Sequence, residues 1–334
     1  MDVSFHYYAI KAVAIICGFE SNNADIIATY SQFVDDYKSE DCHTLILQEK
    51  EVPDYFRILL GEGGRYRGVQ TGFSKMEALK SGIQENVLLP FHFIPYERNA
   101  EDKKNYVTVE AKYGDGSIVS DIFREQVREV QGKVFRGALE LDDLVKLGVV
   151  MHVFADTYSH ARFNAYDSWL NEWKIEEAVA FDGKKVTYTD WSEIADQKVG
   201  HIKVNTAPDD GYVRFSMKHI CTGDWEERDN AKRFAECAVE IGYHLCEVMG
   251  TDMNAAREKK IRTCVEEGLK VKTSTDAKTL EKHWNRVTQK NLGQNVQYKY
   301  QDPGDMCICG KEKKPKREFF AFNHMAQIIK DNCE

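Results

Sequence analysis

The segment Leu139–Asn164, LELDDLVKLGVVMHVFADTYSHARFN, constrains this chain more than any other stretch. Its apolar positions Leu141, Leu144, Val145, Val149, Val153 and Phe154 recur with a helical period. His152, Asp156 and His160 recur every four residues along it. Four residues turn a helix by roughly 400°, so the three side chains form one slowly drifting stripe. Gly148 lies one turn before the stripe and Asn164 one turn after it. Ionisable groups inside an apolar helix are costly unless they are paired or coordinate a metal. Zinc and similar ions accept both imidazole and carboxylate. The stripe therefore predicts a metal site. The competing reading is a set of polar residues hydrogen-bonded to neighbouring helices.

The surrounding chain has 334 residues, 43% of them hydrophobic, which is enough for a real core in one large domain or two smaller ones. The net charge of -9 argues against a broad basic face for nucleic acid. Residues 251–334 carry 17 Lys+Arg against 12 Asp+Glu, so the acidic charge belongs to the first 250 residues. That acidic part holds the candidate site, and the basic tail is a candidate surface for a partner or a membrane. The nine cysteines are odd in number and scattered, unlike a disulfide framework. Cys17, Cys237 and Cys246 fall in apolar helical patterns, and Cys307 with Cys309 makes a lone C-x-C without a second pair. The N-terminal MDVSFHYYAIKAVAIICGF lacks a basic leader and a cleavage site and is too short and polar to span a membrane. These features point to the cytoplasm, where thiols stay reduced.

Taken in order, residues 4–18 read as a buried helix ending at Gly18, with His6 in its first turn. Ser21 or Asn22 caps a second helix, on which Ser31 shares a face with Asp35, and Gln32 with Asp36. Paired carboxylates at the end of an apolar helix are candidate ligands or solvated charges. Thr44–Leu47 reads as a short strand, and GEGGRYRG (61–68), lacking Gly-Lys-Ser/Thr, as a flexible loop. SKMEALKSGIQEN (74–86) reads as a short helix capped by Ser74. In LLPFHFIPYE (88–97), two prolines flank His92 and predict an extended or irregular run. Asn105–Tyr113 alternates weakly, like a strand, and 118–132 forms an amphipathic helix. Residues 180–191 resemble a hairpin around Asp182-Gly183. In the polar loop 199–211, His201 or Asp209 completes a metal shell, His201 being favoured. Residues 226–249 form a long helix in which His244 caps or packs, and helical segments follow to about 290 and again over 319–331. Around Pro303–Gly310 lies a loop, and KEKKPKRE (311–318) is a basic run. The fold class that results is mainly α: a helical bundle with small β-hairpin insertions. A metal-binding domain over 1–250 is followed by a basic helical extension over 251–334.

The segment from Gly148 to His160 resembles the central motif of zinc-dependent phospholipase C-like proteins and single-strand nuclease-like metal hydrolases, which are all-helical. Phe5–Tyr7, Ser31–Asp36 and Leu88–Pro95 also resemble an uncharacterised bacterial family that shares this motif. The first resemblance implies two or three zinc ions in a helical bundle, held by His and Asp/Glu together with the mature N-terminal residue. His152, Asp156 and His160 match the motif. His6, Asp35, His92 and His201 join them by residue type and surroundings. The chain departs from those enzymes in beginning Met-Asp, where a processed residue, usually Trp, is expected, and in its shorter spacing from Asp156 to His160.

The activity so implied is metal-assisted hydrolysis of a phosphoester, with zinc or another divalent ion as cofactor and a small phosphoester or phospholipid head group as substrate. Asp156 is expected to bridge two ions, and Asp35 or Asp36 to ligate or act as general base. Tyr7, Gln32, Asn164 and Asp209 are candidates to orient the ligands. The alternative is a non-catalytic helical binding protein with a structural metal.

Overall fold

Glu140 and Asp143 form a reciprocal cap at the start of the central helix: each side chain accepts the other's main-chain N–H. From there the chain runs helical over Leu141–Ser159, and every residue from Asp142 to Ser159 is buried. A helix apolar on all sides needs cover on all sides. The computed structural model, which describes residues 1–97, 104–189, 196–272, 277–299, 301–302, 304–305 and 314–333, shows how that cover is built.

The chain opens in a π-helical turn, Ser4–Ala9, and continues as α1 (Ile10–Cys17), which ends at Gly18 in the left-handed region. Helix α2 (Ser21–Asp36) lies along the central helix. It comes close because residue 148 is glycine. A Cβ there would stand 2.4 Å from the Ile27 carbonyl and 3.0 Å from the Ser31 nitrogen. Helix α3 (Ile118–Val134), capped by Ser117, the central helix α4 (Leu141–Ser159) and α5 (Asn230–Val248) pack together. Helices α6 (Ala255–Gly268), α7 (Ala277–Leu292) and α8 (Arg317–Cys333) complete the main helical elements among the described residues. The residues read as a C-terminal extension pack on this body. Helix α8 lies against α4, and Trp284 of α7 is buried and donates to the Ser4 hydroxyl.

The β structure is small. Thr44–Ile46 (β1) pairs antiparallel with Arg65–Arg67 (β2). Trp173–Ala180 (β3), Val213–His219 (β4) and Trp225–Asp229 (β5) form an antiparallel sheet with β4 in the middle. The fold is therefore mainly α with small β insertions, as the sequence predicts.

Several local expectations are corrected. Gln84–His92 is π-helical with Pro90 inside it, not extended. Its wider turn gives the proline ring room that a regular α-helix lacks. Residues 61–68 are not a flexible loop: they hold a 3-10 turn and β2. The 74–86 stretch divides into a 3-10 turn at Glu77–Leu79, a single α turn at Ser81–Ile83 and the start of the π segment. Asn105–Tyr113 forms no strand. Among the described residues the hairpin at Asp182-Gly183 is a turn with one bridge, Val179 to Lys185, and residues 190 and 191 of the expected hairpin lie outside them. The 226–249 helix begins only at Asn230, because residues 225–229 pair as β5 and Asp229 then caps the helix. Cys307, Cys309 and most of the 303–313 loop and basic run lie outside the described residues. Every described cysteine is a free thiol.

Candidate metal centre

The central helix supplies His152 and Asp156 from its interior and His160 from just beyond its last turn. Two buried or half-buried arginines finish that end. Arg228 donates to the Ser159 and Ala161 carbonyls at 2.9 and 2.7 Å, one on each side of His160. Arg233 donates to the Tyr158 carbonyl at 2.8 Å. Cationic donors on the last carbonyls satisfy them and suit the negative end of the helix dipole.

The close approach at Gly148 brings the Ser31 carbonyl to 2.9 Å from His152 Nδ1. With Nδ1–H committed there, Nε2 turns inward, 3.4 Å from Asp156 and 3.7 Å from Asp35. The same device recurs. His92 donates from Nε2 to the Thr71 carbonyl at 2.9 Å and presents Nδ1 to Asp156 at 3.0 Å. His160 donates from Nδ1 to the His92 carbonyl and presents Nε2 to Asp209 at 3.1 Å. His201 donates from Nδ1 to the Asn205 carbonyl at 2.6 Å and presents Nε2 to the other Asp209 oxygen at 3.2 Å. An imidazole whose outer nitrogen is hydrogen-bonded to a carbonyl in this way offers a lone pair on the inner one. His6, carried on the N-terminal π turn, stacks on His152 and places Nε2 3.1 Å from Asp156 Oδ1. Beside His201, Gly200 has a positive φ, and a Cβ there would strike the Phe93 ring at 2.6 Å.

The Met1 amino group also lies here, 2.5 Å from Asp156 and 3.3 Å from Asp209. Burial works against its charge, but Asp156, Asp209 and Asp35 prevail and raise it to about 11. Burial works against the ionised forms of Asp156 and Asp209 too. The amino group and the neighbouring histidines outweigh it and hold both carboxyls well below the usual range. Burial, then the charges of His152 and the amino group, push His6 down to about 3. Burial also lowers His160, whereas His92 and His201 end raised because their carboxylates overcome the same penalty.

Three groups result, each with one donor atom per residue within 4.8 Å of the others: His6, His152 and Asp156; Asp35, His92 and His152; His160, His201 and Asp209. Buried imidazole and carboxylate groups that can hold a metal are thus present. The donor set fits one. Among the described residues, Nε2 of His152 is buried without a hydrogen-bond partner, aimed among carboxylates rather than into apolar side chains. The second and third groups border a cavity of about 210 Å³, whose wall is completed by Phe73, Lys75, Leu88, Phe93, Val199 and Ile202.

The structure brings together His6, Asp35, His92, His152, Asp156, His160 and His201. It moves Asp209 from an orienting position into direct contact with two histidines. Asp36 stays outside the three groups, accepting from Gln32 at 3.5 Å. Tyr7 is turned away, its hydroxyl hydrogen-bonded with Asp25 and the Gln297 carbonyl. The Asn164 side chain ties down the Lys104 and Tyr106 carbonyls instead of a ligand, while its main-chain carbonyl accepts from Gly200, next to His201. Sequence reasoning missed Met1 and Arg228. It also missed β4, although VRFSMKH alternates buried and exposed positions as a strand should.

No helix among the described residues is long and apolar enough to cross a membrane. No curated protein and no solved structure matches the chain. A family of unknown function, DUF6765, has a model that matches residues 1–330, and the chain belongs to that family.

Proposed function

We propose that this chain is a metal-dependent hydrolase of small phosphoesters, with zinc the ion best matched to its imidazole and carboxylate donors. The observation that carries the reading is the two-sided use of Asp156. Its Oδ1 meets His6, and its Oδ2 meets His92 and His152. A carboxylate so placed is suited to lie between two cations and offset their repulsion. Because His152 has one nitrogen committed to Ser31, it serves only one of the first two groups at a time, so at most two of the three groups are complete together.

Divalent ions in such a cluster supply Lewis acidity, activating water and offsetting charge on a phosphoryl oxygen. The chain's own residues do the rest. The carbonyls of Ser31, Thr71, His92 and Asn205 keep four imidazoles in the ligating tautomer. Asp35 borders the cavity with about 30% of its side chain exposed, so it is the carboxylate placed to ligate or to accept a proton from attacking water. Phe73, Leu88, Phe93, Val199 and Ile202 exclude bulk water and seat the substrate's organic group, and Lys75 adds positive charge at the same cavity. A cavity of about 210 Å³ suits a head-group-sized substrate, and the net charge of -9 disfavours a polynucleotide.

The test is elemental analysis of the purified chain together with turnover of a phosphomonoester, a phosphodiester and a short-chain phospholipid. The reading expects bound zinc and hydrolysis of at least one of the three, both lost in His152→Ala. Retention of metal and turnover in that variant, or turnover with no metal bound, overturns it.

A further inference from the structure

Cys17 and Cys246 fall in apolar helical patterns of the sequence, and neither touches the metal centre. In the structure they meet. Cys17 is the last residue of α1, Cys246 lies in the last turn of α5, and the two helices pack together. Their approach needs Gly242, one turn before Cys246, where a Cβ would stand 2.4 Å from Met253 and 2.8 Å from Ile261. The Cys17 thiol sits over that turn, 3.5 Å from the Gly242 carbonyl. One hydroxyl, Thr251 Oγ1, reaches the main-chain carbonyls of both cysteines at 3.5 Å. Both cysteines are free thiols.

The two sulfurs are not equivalent. The Cys17 thiol donates a hydrogen bond to the Cys246 sulfur. Arg257 of α6 brings Nη1 to 3.9 Å from that same sulfur and is anchored on the Asp252 carbonyl at 2.5 Å. A guanidinium here offsets the negative end of α5. The hydrogen bond from Cys17, then Thr251 and Arg257, overcome burial and hold Cys246 down at about 6. The same hydrogen bond, together with burial, pushes Cys17 well up. At neutral pH the pair is therefore a thiolate facing a protonated thiol. Cys264 lacks such help, and burial pushes it up to about 12. The pair lies one side chain beneath the surface, since Gly18 is exposed and Arg257 half-buried.

We propose that Cys17 and Cys246 form a redox-active dithiol that a hydroperoxide converts reversibly to a disulfide, independent of the metal centre. The Cys246 sulfur attacks the hydroxyl oxygen of the hydroperoxide, so an S–O bond forms as the O–O bond breaks. The sulfenic acid keeps that hydroxyl, and the departing alkoxide takes from water the proton that the thiol gave up. The Cys17 sulfur then attacks the Cys246 sulfur, an S–S bond forms, and hydroxide leaves as water with the Cys17 proton. Over both steps the dithiol loses two electrons, and the hydroperoxide gains them as it becomes alcohol and water. Exchange with an external thiol reverses the bond. The disulfide ties α1, which follows the π turn carrying His6, to α5.

The test exposes the reduced full chain to hydrogen peroxide at neutral pH, blocks the remaining thiols with an alkylating agent, and maps the peptides by mass spectrometry. A Cys17–Cys246 disulfide is expected, reversed by dithiothreitol. It should form at least about tenfold faster than the exposed Cys221 is oxidised. In Cys17→Ser, which keeps a donor, oxidation is expected to stop at a sulfenic acid on Cys246 that a dimedone probe captures. Arg257→Met is expected to slow disulfide formation several-fold. Melting curves check that both variants fold, and the map of the unaltered chain decides without them. Oxidation of Cys221 ahead of the pair, Cys246 joined to a different cysteine, or no disulfide from the pair overturns the proposal.

Discussion

The central helix has buried or half-buried histidines on two sides, five gathered around carboxylates and one alone among aromatic rings, and the two settings differ in their polar contacts. On one side, His6, His92, His152, His160 and His201 surround Asp156 and Asp209, and four of the five have the outer nitrogen bonded to a main-chain carbonyl. On the other, His244 of α5 stacks on Phe123 at 4.0 Å and meets Phe154 and Tyr113 edge-on. Neither of its ring nitrogens has a hydrogen-bond partner among the described residues. Burial, with help from Arg124, pushes it down to about 3, where His6 also lies. A depressed basicity alone therefore does not distinguish a ligand from a core residue. What distinguishes them is a carboxylate facing a ring nitrogen, joined in all but His6 by a carbonyl that fixes the tautomer.

The strongest way to break the comparison is to remove a member of the first group. Asp156→Asn and His152→Ala are each expected to lower metal affinity by more than about a hundredfold, beyond the 10–100-fold that orienting partners alone account for. Elemental analysis and competition with a chelating dye measure this. His244→Leu is the control and should leave metal content unchanged. Equal metal content in all three variants would erase the distinction.

Arg228 supports the first group without belonging to it. Its side chain is fully buried, donates to the carbonyls on both sides of His160, and is paired with Glu226 at 2.8 Å. Arg228→Met leaves those two carbonyls without their donor, while Glu226 keeps Arg233 and Arg162, and a loss of about 2–4 kcal/mol in denaturant unfolding is expected. Metal bound by His160, His201 and Asp209 should weaken along with it, because the end of the helix is no longer held. Gly148→Ala is next in size. Its methyl would press on the Ile27 carbonyl, for about 1–3 kcal/mol of overpacking. The resulting shift of Ser31 should lower metal affinity through the His152 tautomer, an effect His244→Leu cannot produce.

His244 reads from the sequence as capping or packing, and it packs; the first group is legible only in part, for physical reasons. The His152, Asp156 and His160 stripe is readable because a single helix sets its geometry. His6, His92 and His201 are readable as residue types in apolar or turn contexts, but nothing local says that they converge. Asp209 ranks below His201 on sequence because a loop gives no period from which to judge direction. The Met1 amino group and the Ser31, Thr71 and Asn205 carbonyls are main-chain atoms, which a side-chain pattern cannot rank. Tyr7 shows the reverse error. Its neighbour His6 enters the site, but one residue along a π turn swings a side chain by roughly a quarter of a revolution, and Tyr7 points to Asp25 instead. The π turns at Ser4–Ala9 and Gln84–His92, which deliver His6 and His92, have no sequence period of their own.

The smallest effect sharpens the comparison from the other side. His244 has its folded-state basicity depressed from 6.5 to about 3, so the unfolded chain binds more protons between those values. Stability from this residue is therefore fully present above pH 6.5 and is lost as pH falls toward 3, at about 1.4 kcal/mol per pH unit. His244→Leu removes both the unpartnered nitrogens and this dependence. At pH 7.5 the variant is expected to be more stable by about 1 kcal/mol, the low end of what an unsatisfied buried polar group costs. Its advantage over the parent should widen as pH falls from 6.5 to 4.5, read as the difference between two urea denaturation series. The aromatic cage would then be a place where imidazole is merely tolerated. If the advantage stayed flat with pH, or if the variant were less stable, His244 would have a partner or a role that its surroundings do not reveal, and the contrast with the metal-centre histidines would have to be redrawn.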